Sequence, residues 1–261
     1  MNHPLLIEFV GLPGAGKTTI VNHIMDLECE ESLAVTSFRS HTLIECGLAE
    51  SSYSIVRSLA AVIVVGIALL KHPRMVLYLL RFTMLAKPLC WSRFKLIYGL
   101  VALIRRMDRI RTTSFIDHKA ILLDQGVVQF LGSISLPSTR SNELPLEAVV
   151  PEAVLDRVDG LVWVDCDPEI AMQRVRGRTS GRCRFDHWSD DLFRQNQMVM
   201  LSVLQIATQC ACDLGVPILT VATSVPPPVN AARVREWLKH LLASSPQRRE
   251  GISSLRNKSI P

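Results

Sequence analysis

Gly11-Leu-Pro-Gly-Ala-Gly-Lys17-Thr18 follows directly on the apolar run Leu5–Val10, near the start of the chain. It fits the pattern G-x-x-x-x-G-K-[ST], in which glycines let the backbone curl so that successive N–H groups point at phosphate oxygens. An apolar run of strand length before the pattern and a helical segment after it, Thr18–Met25, are the context that it requires. The sequence therefore predicts a phosphate-binding loop for a nucleoside triphosphate.

The residues of this loop have expected roles in binding a nucleotide. Lys17 would reach the β- and γ-phosphates, and the Thr18 hydroxyl would bind Mg²⁺. The helix that begins near Lys17 adds the positive end of its dipole at the same point. The residues expected to bind ATP here are Gly11, Pro13, Gly14, Ala15, Gly16, Lys17, Thr18 and Thr19.

Composition limits the class of protein. The chain has 261 residues, 48% of them hydrophobic and 20% charged, which is enough for one large domain or two small ones. The net charge of +5 suits anionic ligands, but the basic residues are not grouped as nucleic-acid binding requires, so no nucleic-acid partner is expected. The seven cysteines lack paired spacing and indicate free thiols in a reducing cytosol. The first strand leaves no room for a signal peptide, so we expect a cytoplasmic protein.

Apolar runs of strand length alternate with helical segments over most of the chain, which predicts an α/β fold with a parallel sheet covered on both faces. Further strands are expected at 32–38, 119–123, 158–164 and 216–221. Asp167 is the expected N-cap of a helix with Pro168 at its first position. Ligands bind at the carboxyl ends of such strands, which makes Arg39 and Asp124 candidates. The alternative for Asp124 is that it caps the next helix.

Residues 42–116 form an apolar insertion into this pattern. The 13 residues between Arg57 and Lys71 carry no charge, but as a helix they would extend only about 20 Å, against about 30 Å for a bilayer core. We interpret the insertion as buried helices. The alternative is a hydrophobic surface that meets a membrane, a partner or an apolar substrate, and the basic residues at 105–111 are compatible with anionic lipids. Because buried helices are the favoured interpretation of the insertion, a membrane surface is the less favoured partner.

Arginines are concentrated around Ser180-Gly181, where we expect a lid at about 174–186. They are Arg174, Arg176, Arg178, Arg182 and Arg184. So many guanidinium groups close together favour anionic partners, although a solvated basic face is the alternative.

Residues 245–261 are polar and aperiodic and predict a flexible tail, so the expected domain is 1–244.

Taken together, these motifs resemble the nucleoside-monophosphate kinase group of P-loop kinases, most of all thymidylate kinase. The matching segments are Gly11–Thr19, Asp124-Gln125-Gly126, Asp167-Pro-Glu-Ile-Ala with Arg174 and Arg178, and the loop around Val221–Ser224. The resemblance covers most of the chain except the insertion and the tail. It implies a three-layer P-loop kinase fold with a parallel sheet, an apolar helical insertion and an Arg-rich lid.

The resemblance also implies phosphoryl transfer from ATP to a small acceptor, with Mg²⁺ as cofactor. The catalytic residues would be Lys17, Asp124, Arg178 and Arg182, and Arg174 would join the ATP-binding set. Thr18 would bind the metal directly. Asp124 would either hold a water bound to the metal or orient the acceptor. Arg39, Gln125 and Arg184 would contact the acceptor.

The sequence departs from thymidylate kinase at the acceptor site. Gln125 stands where that family has an arginine, and a glutamine cannot form a charge pair with a phosphate. The acceptor could therefore be a nucleotide, a sugar, an antibiotic-like molecule or an amphiphile. The sequence also leaves open whether the protein forms a homodimer. The alternative function is an ATP-hydrolysing switch or assembly protein, in which Gln125 positions water and the insertion forms an apolar partner or membrane interface.

Overall fold

The computed structural model describes residues 3–28, 34–38, 99, 101, 103–105, 107, 108, 110, 111, 119–135, 155, 157–178 and 188–256, with 245–256 as backbone alone. In chain order the elements are β1 (Leu5–Val10), α1 (Lys17–Glu28), β2 (Val35–Phe38), β3 (Ala120–Leu123), α2 (Val127–Ser135), β4 (Gly160–Asp165), α3 (Pro168–Arg176), α4 (Asp190–Asp213), β5 (Ile218–Ala222) and α5 (Pro227–Arg256).

The five strands form one parallel sheet in the order β2-β3-β1-β4-β5. β1 is the central strand, and Glu8 in it lies opposite Leu123 of β3 and Leu161 of β4. The predicted phosphate-binding loop, which follows β1, thus has the carboxyl ends of β3 and β4 on either side of it. The predicted α/β fold with a parallel sheet is confirmed.

Side chains of β1 alternate between two cores because successive residues of a strand point to opposite faces. Leu6 and Val10 belong to a core shared with α2 and α4. Leu5, Ile7 and Phe9 belong to the core that lies against α1 and α5. Helices therefore cover both faces of the sheet, which explains why β1 is almost continuously apolar.

Part of the predicted insertion contributes to the first of these cores. Val101, Leu103, Ile104 and Met107 have helical backbone and are almost fully buried there. The apolar segments at 58–70 and 75–86 lie outside the described residues. In the part of the chain that the structure describes, no helix has both the length and the apolar character to cross a bilayer.

The last helix is longer than the sequence predicts. The amphipathic pattern of the sequence predicts a closing helix at 229–242, whereas α5 begins at Pro227 and continues to Arg256. Helical backbone therefore occupies 245–256, part of the segment for which a flexible tail is expected. Adding residues to an existing helix needs no new nucleation, so a segment without apolar periodicity can still extend one.

Candidate nucleotide and metal site

The loop between β1 and α1 has the backbone conformation that its glycines make available. Gly14 has a φ of +90°, a region that residues with a Cβ rarely adopt. A Cβ at Gly14 would lie 2.2 Å from the carbonyl oxygen of Ala171 in α3, which is too close for two nonbonded atoms. The backbone of the loop therefore packs directly against that helix. The predicted order of strand, glycine-rich loop and helix is therefore present, and α3 supports the loop from one side.

Lys17 is buried within this loop, with its side chain turned back on the backbone. Its Nζ donates to the carbonyl oxygens of Gly11, at 2.8 Å, and Leu12, at 3.0 Å. Burial lowers the pKa of Lys17 to about 8; Asp124 raises it and the nearby charge of Arg178 lowers it. At neutral pH the ammonium is still mostly protonated, yet poorly solvated. Anionic phosphate oxygens would be better acceptors for it than two neutral carbonyls.

Thr18 and Asp124 meet across the gap between the loop and the end of β3. The Thr18 hydroxyl donates to Oδ2 of Asp124 at 2.7 Å. Asp124 is only 7% exposed, and its other carboxylate oxygen, Oδ1, is buried without a hydrogen-bond partner. A buried carboxylate oxygen with no donor is unfavourable unless a cation or water completes its surroundings. The predicted metal ligands are thus in contact, and their oxygens fit a hard cation such as Mg²⁺.

The described residues contain no group of three or more His, Cys, Asp and Glu side chains arranged for a metal ion. Magnesium in nucleotide sites typically uses one or two protein oxygens and takes its other ligands from water and phosphate. Thr18 and Asp124 therefore suit a metal that arrives with a nucleotide better than one held by protein side chains alone.

Glu8 caps the helix that follows Asp124, a role that sequence reasoning missed. Its carboxylate accepts from the backbone N–H groups of Val128, at 3.1 Å, and Gln129, at 2.8 Å. The alternative assignment of Asp124 as the cap is therefore wrong, because Asp124 accepts from Thr18 instead. The signal was present in the sequence, since Glu8 is the single charged residue in an otherwise apolar buried strand.

We expect the stability of the protein to depend on the ionisation of Glu8. Burial raises the pKa of Glu8 from 4.5 to about 7, although the amides of Gln129 and Val128 oppose this. Between these two pH values the folded state holds a proton that the unfolded state has released, so the free energy of unfolding falls as pH rises. The loss would amount to about 3 kcal/mol.

Denaturant unfolding of the wild type and of Glu8→Gln, measured at pH 5 and pH 7.5, tests this expectation. The difference in stability between the two proteins should shift in favour of the variant at the higher pH. Parallel pH profiles would contradict it.

The arginines near the end of α3 point to two different places. Nη1 of Arg174 is 3.9 Å from Sγ of Cys166 and would be 4.0 Å from a Cβ at Gly16, so it lies beside the predicted phosphate-binding loop. Arg178 is exposed, and its charge acts on Lys17. Arg176 turns instead toward the start of α4. Of the described lid arginines, Arg174 thus lies beside the loop and the charge of Arg178 acts on Lys17, whereas Arg176 contacts α4.

Arg176 joins α3 to α4. Its guanidinium pairs with Asp190 at 3.0 Å, donates to the carbonyl oxygen of Trp188 and lies 5.4 Å from the centre of the Phe193 ring. These contacts bring together the two helix ends between which most of the predicted lid runs.

Arg174 and Arg176, two residues apart on one helix, provide a matched pair of variants. Arg174→Met should weaken ATP binding about tenfold by removing a charged hydrogen-bond donor, with little change in Tm. Arg176→Met should cost about 1 kcal/mol of stability and leave ATP affinity unchanged, because its contacts are with α4. Calorimetric titration and thermal melting measure the two effects. The same response from both variants would contradict the distinction.

The loop after β5, expected on the adenine side, is anchored by Asn230. This buried side chain donates to the carbonyl oxygens of Ala222, at 2.8 Å, and Val225, at 3.1 Å. The backbone N–H of Thr223 donates to the carbonyl oxygen of Asp165 at 2.9 Å. The loop is thus fixed at the same edge of the sheet as the predicted phosphate-binding loop.

The remaining predicted residues divide into two groups. Pro13, Ala15, Gly16 and Thr19 lie in the loop and the first turn of α1, and Gln125 is half-buried in the turn between β3 and α2. The second group falls outside the described residues. It consists of Arg39, Arg182 and Arg184, together with the lid beyond Arg178.

No protein-family model matches this chain, and no curated protein matches it. The interpretation of the site therefore depends on the chemistry of its own residues.

Proposed function

We propose that this protein is an ATP- and Mg²⁺-dependent kinase that transfers the γ-phosphoryl group to a small acceptor. The observation that carries the proposal is the contact between Thr18 and Asp124, at 2.7 Å, beside a buried Lys17. A carboxylate oxygen without a partner, a hydroxyl and an ammonium group lie together at the carboxyl edge of a parallel sheet. This is the donor set expected around the phosphates and metal of a bound nucleotide.

Each of these residues would contribute a separate interaction. Lys17 would exchange the carbonyl oxygens of Gly11 and Leu12 for phosphate oxygens, so binding would replace weak acceptors by charged ones. Thr18 and Asp124 would hold Mg²⁺, which when bound neutralises charge on the β- and γ-phosphates. Arg174 and Arg178 would contact the phosphates from the α3 side. The backbone N–H groups of the loop would orient the phosphate chain without moving.

ATP consumption with and without candidate acceptors tests the proposal. The panel comprises nucleosides, nucleoside monophosphates, sugars and lipid-like alcohols, with phosphorylated product detected by mass spectrometry. We expect slow ATP consumption alone and a rise of at least tenfold with an acceptor, because kinases keep water from taking the phosphoryl group. Asp124→Asn serves as the control for contaminating activity.

Two outcomes would reject the kinase proposal. Failure to bind ATP with Mg²⁺ would remove it altogether. Rapid ATP hydrolysis that no acceptor changes, with phosphate as the only product, would favour the switch or assembly protein instead.

A further inference from the structure

Glu8 and Gln129 link the phosphate-binding loop to the helix that follows Asp124. Glu8 lies in β1 and accepts from the amide of Gln129 at the start of α2. The Gln129 side chain reaches back, and its Oε1 accepts from the amide of Gly11 at 3.3 Å. Both side chains are buried. We call these two side chains the connector, because they form a path from β1 to α2 and back to the first residue of the loop.

The turn that carries Asp124 lies directly on the connector. A Cβ at Gly126 would be 2.3 Å from the carboxyl carbon of Glu8, a distance at which something would have to shift. Glycine therefore lets the turn at 124–126 approach the carboxylate as closely as backbone can. The turn that carries Asp124 and the Glu8 carboxylate are therefore packed directly against each other.

Core packing alone does not account for Glu8. The other five residues of β1 are apolar and buried, and an apolar residue at position 8 would avoid the cost of burying a carboxylate. Departures from such local rules are expected where function requires them. What Glu8 adds that an apolar residue cannot is a fixed, directional attachment between β1 and the first turn of α2.

We propose that Glu8 and Gln129 are positioning residues for the metal site. They hold the turn at 124–126 and the start of the phosphate-binding loop on a common support, and thereby fix the contact between Thr18 and Asp124. The inference rests on the proposed function, since it is a metal-bound nucleotide that needs these oxygens in register. Neither connector residue touches the nucleotide in this role; both act through Asp124 and the Gly11 amide.

Magnesium titration of three variants provides the test. Glu8→Gln keeps the shape of the side chain but presents an amide N–H₂ to one of the helix amides, and Gln129→Met removes the acceptor for Gly11. Ile7→Val is the control, because Ile7 is fully buried in the same strand but faces α1 and α5. The nucleotide is a fluorescent, non-hydrolysable ATP analogue, titrated with Mg²⁺ and also measured in EDTA.

We expect the apparent Mg²⁺ affinity to fall at least tenfold in both connector variants, a loss typical of residues that orient metal ligands. Affinity for the metal-free analogue should stay within about twofold of the wild type, except where Glu8→Gln also changes the field at Lys17. Ile7→Val should lower Tm and leave Mg²⁺ affinity unchanged.

Gln129→Met decides between positioning and electrostatics. The charge of Glu8 acts on Lys17 as well, so Glu8→Gln alone would mix the two effects, whereas Gln129 is uncharged. Gln129→Met also keeps the test decisive if Glu8→Gln does not fold.

The outcomes separate this inference from the proposed function. A wild type that does not bind the analogue with Mg²⁺ would overturn both. A wild type that binds it, with Mg²⁺ affinity within about twofold in Gln129→Met, would overturn the connector alone. Equal losses with Mg²⁺ and in EDTA would also overturn it, because they would indicate general support of the loop.

Discussion

Lys17→Met should reduce phosphoryl transfer by about 100-fold or more without destabilising the protein. The loss is expected because one preorganised charged donor to the transferring group supplies that much in comparable sites. Stability should be retained because burial lowers the pKa of Lys17 from 10.5 to about 8. This difference means that keeping the ammonium charged costs the folded state about 3 kcal/mol. The hydrogen bonds from Lys17 to Gly11 and Leu12 offset only part of this cost.

Turnover and thermal melting measure the two halves of this prediction. Lys119→Met is the matched control, since Lys119 is exposed at the amino end of β3, away from the site. A Lys17→Met protein that keeps near-normal turnover would contradict the proposed role. A fall in its Tm of more than a few degrees would mean that the two carbonyl contacts outweigh the cost of burial.

The same pKa predicts how nucleotide binding depends on pH. Above about pH 8 the free protein loses the Lys17 proton, and a bound phosphate would draw it back. ATP affinity should therefore fall by up to tenfold per pH unit above 8, with one proton taken up on binding. Calorimetry at pH 9 in two buffers of different ionisation enthalpy measures this uptake. It should be absent in Lys17→Met.

Asp124→Asn should lower turnover by about 100-fold while the affinity for metal-free ATP changes little. The amide can still accept from Thr18 through its oxygen, so the local packing is retained. It carries no negative charge, however, and offers an N–H₂ group in place of the oxygen that now lacks a partner. Metal binding should fail because Mg²⁺ prefers carboxylate oxygen and cannot use an amide nitrogen.

The matched control for this variant is Asp165→Asn. Asp165 is an exposed carboxylate at the end of the neighbouring strand β4, at the same edge of the sheet. Its replacement should leave turnover within about twofold. Equal losses in both variants would indicate that the general negative potential of this edge matters, and not a ligand at Asp124.

The local patterns of the sequence were sufficient for the elements that carry the site. The apolar run Leu5–Val10, the glycines after it and Lys17 predict a strand, a loop and a helix because each depends on residues close in sequence. The strand that ends before Asp124 and the Asp167 cap with Pro168 are confirmed for the same reason. Strand boundaries differ by about two residues or less at β4 and β5, where pairing with neighbours determines the ends.

Sequence reasoning could not assign the role of Glu8, although the residue is conspicuous. Its partners, Val128 and Gln129, are about 120 positions away in the chain, and the sheet order places β3 and α2 beside β1. The arginines show the same limit: the sequence places Arg174 and Arg176 in one basic cluster, and only the structure shows that Arg176 contacts Asp190 of α4 while Arg174 lies near Cys166.

The sequence by itself determined the strand–loop–helix unit and the α/β class, because these depend on local periodicity and backbone conformation, and it supplied the residues that we propose for nucleotide binding. Only the tertiary structure decided which carboxylate faces Thr18, which one caps α2 and which arginines approach the loop. Those contacts join residues far apart in the chain, and hydrogen-bond geometry at about 3 Å exists only once the sheet has brought them together.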